Sequence, residues 1–219
     1  EVSADLQIGD DPFDRQVVYQ GLQPNAFYTA EMRAENALGL TTRTIEFNTL
    51  NPEGAVEVEA EDYNFGNGQF IDNPPPSGLR PDGGIVGEDI GYFDREGTTG
   101  TDYVSALSPA GDPQESYRFY DTVETRYTLD VLRQKYVTSG APDYDVLRFA
   151  EGDWMNYTRT FTPGEYQVFL RAQATASARL CLDLVTEDPT APGQSTTPIG
   201  AFEIPASDGY RVLTVLDTT

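Results

Sequence analysis

The sequence predicts an all-β protein, and three observations carry that prediction. The 219 residues include 20 glycines and 15 prolines, which break the chain into short elements and argue against long helices. Several stretches alternate apolar and polar residues with a period of two, the pattern of strands with one buried and one wetted face. Turn-forming clusters separate these stretches at the spacing of a sandwich, not of alternating strands and helices. Hydrophobic residues at 38% and aromatics at 11% suffice for a core, and the length allows two small domains.

Taken in order, the first strands are expected at Gln16 to Tyr19, Phe27 to Glu35 and Thr41 to Leu50, with a turn over Gly21-Leu22-Gln23-Pro24-Asn25. Tyr28, Ala30, Met32 and Ala34 share one face of their strand, with Thr29, Glu31, Arg33 and Glu35 on the other. Asn51-Pro52-Glu53-Gly54 is a turn-forming linker. The stretch Val56 to Tyr63 then reads as a strand, with Val56, Val58 and Ala60 opposite Glu57, Glu59 and Glu61.

A long irregular region over 64–143 follows, containing one helical pattern at Leu129 to Val137. Loops of that length are either functional or packed onto the domain by their own side chains. Regular strands are expected again at Tyr144 to Phe149, Trp154 to Phe161, Glu165 to Ala174, Ala178 to Val185, Thr197 to Ile204 and Tyr210 to Leu216.

Charge and residue usage narrow the function. Lys and Arg number 14 against 36 Asp and Glu, a net charge of −22, which repels phosphate backbones and anionic headgroups. Neither nucleic acid nor membrane insertion is expected, and no apolar run is long enough to span a bilayer. Histidine is absent, which removes Ser-His-Asp and Cys-His catalysis and His-ligated zinc. No catalytic residue is assigned, and a carboxylate-pair glycosidase is the least favoured reading. Cys181 is the sole cysteine, lies in an apolar run and is expected to fill core. The N-terminal residues lack a signal pattern, so the chain reads as a mature or internal segment.

Leu22-x-Pro24-x-x-x-Tyr28, Arg33-Ala34-x-Asn36-x-x-Gly39 and the strand Thr44 to Thr49 together resemble the second half of a fibronectin type III domain. The resemblance implies a partial domain over 1–50 in which Tyr28 is the structural tyrosine corner, its hydroxyl tied to backbone near the preceding turn. Such sandwiches have about 90–100 residues and seven strands, so the first strands are expected to come from elsewhere, by a cut chain or by β-strand complementation from a neighbouring copy or domain.

After the linker at 51–54, residues 55–219 carry a second resemblance. Glu59-Ala60-Glu61-Asp62-Tyr63, Glu151-Gly152-Asp153-Trp154-Met155-Asn156-Tyr157 and Pro163-Gly164-Glu165-Tyr166 resemble, in this order, the hallmark stretches of family 6 carbohydrate-binding modules. This implies a β-sandwich jelly roll with long irregular loops, non-catalytic, extracellular or at a bacterial-type cell surface, binding a polysaccharide or surface glycan. It also implies a structural Ca²⁺ at Glu59 and Glu61, with a further acidic ligand on last strands that should follow Thr219. Tyr157 and Tyr166 are assigned to the scaffold.

Sugar binding uses flat aromatic faces with a few polar groups. The family's platform tyrosine, on the strand before Gly-Asp-Trp, is matched here by Arg148. Tyr92, Phe93, Tyr103, Tyr117, Tyr120 and Tyr127 in the long loops either build another platform, with Tyr92 the chosen candidate, or pack under their loops. Trp154 is a candidate stacking surface or a brace of the sandwich. Asn156-Tyr157-Thr158 is a glycosylation sequon on an expected strand, and Asp82, Asp89, Asp94 and Asp102 read as turn formers. An alternative function is a structural subunit of an extracellular fibre, stalk or surface layer, completed by strands from neighbours.

Overall fold

The computed structural model describes residues 6–8, 17–23, 26–36, 39–49, 56–72, 74, 91–93, 95–106, 117–128, 143–207 and 211–213. Among the described residues every regular element is a strand, and no helix is long and apolar enough to cross a membrane. The chain divides into two compact units, Glu1–Ala55 and Val56–Thr219.

In the first unit β1 (Leu6–Ile8) pairs with β2 (Val17–Tyr19), and β3 (Phe27–Asn36) pairs with β4 (Gly39–Asn48), both antiparallel. Thr41, Thr42, Thr44 and Ile45 give β4 the β-branched composition that suits a pleated surface. Gly39 opens β4 at φ +141°, a conformation side chains avoid. The register sets Tyr28 opposite Phe47, and their rings stack at 5.6 Å. The Tyr28 hydroxyl accepts from the Gln23 N–H at 2.5 Å and donates to the Gln23 carbonyl at 3.3 Å. Thr49 Oγ1 donates to the same carbonyl, so two side chains tether one turn to the hairpin.

The second unit contains β5 (Tyr103–Val104), β6 (Glu124–Tyr127), β7 (Tyr144–Leu147), β8 (Trp154–Met155), β9 (Leu170–Ala172), β10 (Ala178–Val185), β11 (Thr196–Ile204) and β12 (Arg211–Leu213). The antiparallel pairs are β5–β8, β6–β7, β9–β12 and β10–β11. In the longest pair the register shifts between Leu182 and Asp183, next to Pro198, which has no N–H for the ladder.

Among the described residues, three apolar clusters hold this unit. Phe65, Tyr92, Tyr117 and Tyr144 form one; Tyr63, Tyr103 and Val123 form a second. Phe202 and Ile204 pack against Val168, Leu170, Leu180 and Leu182 in the third. Loop tyrosines thus build core with strand residues, which is how a long irregular region finds enough apolar area to order itself.

The strands differ from expectation where side chains capture the backbone. Val56 to Tyr63 is no strand: the Asp62 N–H closes a turn on the Glu59 carbonyl at 3.1 Å, and the Asn64 N–H bonds the Asn156 carbonyl at 2.7 Å. Trp154 to Phe161 is ladder-paired only at Trp154–Met155. Beyond it, Asn64 Oδ1 takes the Thr158 N–H and Asp72 Oδ1 takes the Thr160 N–H, donors that a ladder would need. Glu165 to Ala174 shortens likewise to Leu170–Ala172. Cys181 is exposed instead of filling core, because Leu180 and Leu182 hold the inward positions of β10. The helical pattern at Leu129 to Val137 lies outside the described residues.

Candidate metal centre and aromatic surface

Glu59 and Glu61 meet a third acid, Asp143, with their carboxylate oxygens all within 4.8 Å of one another. The two glutamates sit on the turn that replaces the expected strand; Asp143 immediately precedes β7. Glu61 is 4% exposed and Asp143 8%, while Glu59 is half-buried. Burial first, then the charges of Glu59, Asp62 and Asp143, push the Glu61 carboxyl well above its ordinary range. Asp143 is oriented by its own strand, since its Oδ1 accepts the Tyr144 N–H at 3.0 Å.

Converging buried carboxylates repel one another and lose hydration, and a hard cation relieves both penalties. The donors are all oxygen, with neither imidazole nor thiolate, which fits Ca²⁺, Mg²⁺ or Mn²⁺ and not a thiophilic ion. The residues present therefore fit a metal ion.

The carboxylate-bearing turn rests on two guanidinium groups. Arg118, fully buried, donates to the Tyr63 carbonyl at 2.7 Å and the Asn64 carbonyl at 3.1 Å, and lies 3.9 Å over the Tyr63 ring. It pairs with Asp121 at 3.1 Å, and Asp121 also accepts the Tyr63 hydroxyl at 2.6 Å and the Gly97 N–H at 2.8 Å. Arg159 donates to the Asp62 carbonyl at 2.9 Å. Burial pushes the Asp62 carboxyl up to about 6, against the hydrogen bond it accepts from Tyr117. These bonds together hold residues 62–64 in one geometry, although the buried Nε of Arg118 and of Arg159 bonds no partner.

The remaining sequence candidates fall in different places. Tyr92 is fully buried: its hydroxyl accepts the Ile71 N–H at 2.7 Å and an Arg159 N–H at 3.0 Å, so its ring presents no face to a ligand. Trp154 is half-buried in β8 opposite Val104. Arg148 is exposed at φ +49°, with Nε 3.0 Å from Glu124 Oε2 and Nη2 donating to Oε1 at 3.1 Å. Tyr157 donates to the Ala60 carbonyl at 2.7 Å, and the Tyr166 hydroxyl donates to the Thr162 carbonyl.

Of the six loop aromatics, Tyr92, Tyr103 and Tyr117 are buried, Phe93 and Tyr127 half-buried, and Tyr120 is 61% exposed beside an exposed Phe119. No family model, curated protein or solved structure matches this chain.

Two minor motifs resolve into structure. The Asn156 amide donates to the Thr101 carbonyl and to Gln194 Oε1, each at 2.6 Å, and a glycan on that nitrogen would displace these bonds. Asp102 is a turn former, accepting the N–H groups of Asn67, Gly68 and Thr98 at 2.7–2.9 Å. Asp82, Asp89 and Asp94 lie outside the described residues.

Sequence reasoning missed Asp143. It stands in Ala141-Pro142-Asp143-Tyr144, where nothing local separates it from an ordinary turn aspartate; its position ahead of a strand with a core tyrosine was the only available signal.

Proposed function

We propose that this chain is a non-catalytic, extracellular, carbohydrate-binding module of a larger protein. On this reading a fibronectin type III-like unit precedes a jelly roll resembling family 6 carbohydrate-binding modules, and Glu59, Glu61 and Asp143 hold a structural Ca²⁺. The observation that carries it is the meeting of Glu59 and Glu61 with a buried third carboxylate, since these are the two residues the resemblance designates as cation ligands. Ca²⁺ suits a site of protein oxygens better than Mg²⁺, which keeps several of its waters. The ion serves the scaffold: it ties the turn at Glu59–Glu61 to the start of β7, while sugar recognition falls to exposed aromatics.

The test is a glycan array probed with the Ca²⁺-loaded chain, alongside a reducing-end assay on the same polysaccharides. Saturable binding without new reducing ends is expected. Binding to no glycan by the folded, Ca²⁺-loaded chain overturns the reading.

A structural subunit of an extracellular fibre, stalk or surface layer is the second reading. It is favoured by the exposure of Met32, Ile45 and Phe47 on the β3–β4 hairpin, an apolar row suited to a complementing strand or sheet. Sedimentation velocity checks it: a monomer across the accessible concentration range removes this support.

A further inference from the structure

We propose that Phe119 and Tyr120 form the platform on which this chain stacks a neutral sugar ring. The proposal rests on the carbohydrate-binding reading above and gives it a place.

The two residues are the middle of a turn whose ends are locked. Arg118 and Asp121 have fully buried side chains in contact at 3.1 Å, and the Asp121 N–H closes the turn on the Arg118 carbonyl at 3.1 Å. Tyr117 and Val123, on either side, belong to two different core clusters. Between these anchors Phe119 is 41% and Tyr120 61% exposed. Their rings meet edge to face, centroids 5.0 Å apart at 82°, so each limits the other's motion while Tyr120 keeps most of its surface in water.

A buried ion pair is a poor source of stability, and its usefulness lies in the geometry that its surrounding hydrogen bonds specify. Two carbonyls, the Tyr63 hydroxyl and the Gly97 N–H fix Arg118 and Asp121 in this way, while the Arg118 Nε makes no hydrogen bond. What the geometry displays is two aromatic side chains. Aromatic anchors lose little rotamer entropy on binding, and a rigid mount lowers the ordering penalty further.

Size and charge select the occupant. Two part-exposed aromatic side chains offer on the order of 200 Å², far below the roughly 800 Å² per partner of a stable protein interface. That area matches the apolar face of one or two pyranose rings. The net charge of −22 disfavours an anionic polysaccharide or bilayer, leaving neutral sugars, whose C–H face meets the ring and whose hydroxyls meet the Tyr120 phenol.

The experiment compares the full chain with F119A/Y120A and Y120W by titration calorimetry. The probes are cellohexaose, xylohexaose, mannohexaose and laminarihexaose as neutral oligosaccharides, with polygalacturonate as the anionic arm. Because both side chains are exposed, the variants should keep the wild-type unfolding midpoint, which verifies their fold. Wild type is expected to bind at least one neutral probe, F119A/Y120A on the order of tenfold or more weakly, and Y120W within a few-fold of wild type. Equal binding by wild type and F119A/Y120A overturns the platform and leaves the carbohydrate reading standing. Binding of none of the probes by wild type overturns the platform, with the carbohydrate reading then decided by the glycan array, and a preference for polygalacturonate overturns the neutral assignment.

Discussion

Glu61→Gln should act in opposite directions with and without a cation. Carboxylate oxygens of Glu59, Glu61 and Asp143 lie within 4.8 Å of one another. At that separation two like charges repel by roughly 3–4 kcal/mol in a medium of effective dielectric ~20, and Glu61 makes two such pairs. Burial first and this repulsion second disfavour the ionised form, so without an ion the folded state holds a proton and the Glu61 carboxyl sits well above its ordinary 4.5. A carboxyl raised on folding means that the folded state binds more protons than the unfolded one. Stability of the cation-free chain therefore falls as pH rises from about 4.5 through the raised value, and is unaffected below it.

A bound cation reverses the sign, since the ionised carboxylates become ligands. At a hundredfold excess over Kd it contributes about 2.7 kcal/mol, roughly 5–11 °C in Tm for a unit of this size. The assay is thermal unfolding from pH 5 to 8 in EDTA and in Ca²⁺. The wild-type shift should grow with pH; Glu61→Gln should match or exceed wild type in EDTA and gain little from Ca²⁺. A wild-type Tm that ignores millimolar Ca²⁺ at pH 7.5, or a variant that responds as fully as wild type, refutes the reasoning.

Further outcomes follow from the same geometry. Arg118→Met leaves Asp121 buried without its counter-charge and should destabilise the second unit by about 3–5 kcal/mol, read by urea unfolding. Arg148→Gly relieves a positive φ but takes the guanidinium away from Glu124, whose side chain is only 10% exposed; the lost counter-charge should outweigh the relief and destabilise by about 1–3 kcal/mol in the same assay. Expression in a glycosylating secretory host should yield a chain with no glycan at Asn156 by intact mass, because its amide nitrogen is committed to Thr101 and Gln194.

Legibility in the sequence tracked how local each cause was. β10 is found at the expected Ala178–Val185 and β11 within one residue of its expected start, because alternation and turn chemistry act over a few residues. The contact between Tyr28 and Gln23 spans five residues and is of the same kind. Val56 to Tyr63 alternates as well as either strand, yet its Asp62 N–H turns back on Glu59, and the Asn64 N–H just beyond it goes to Asn156. Alternation reports which face is apolar and is silent on whether a ladder partner arrives.

The same division runs through the candidate site. Residue types alone determined the all-β class, the acidic surface and the lack of imidazole chemistry, while the pair Glu59 and Glu61 was singled out by the resemblance. Only the tertiary structure decided that Asp143 completes their cluster, that Tyr92 is core and that Tyr120 is surface. The physical reason is burial: a carboxylate or a tyrosine has the same local sequence whether it meets water or protein. What it meets is set by segments more than fifty residues away, as when Arg118 reaches back to the carbonyls of Tyr63 and Asn64.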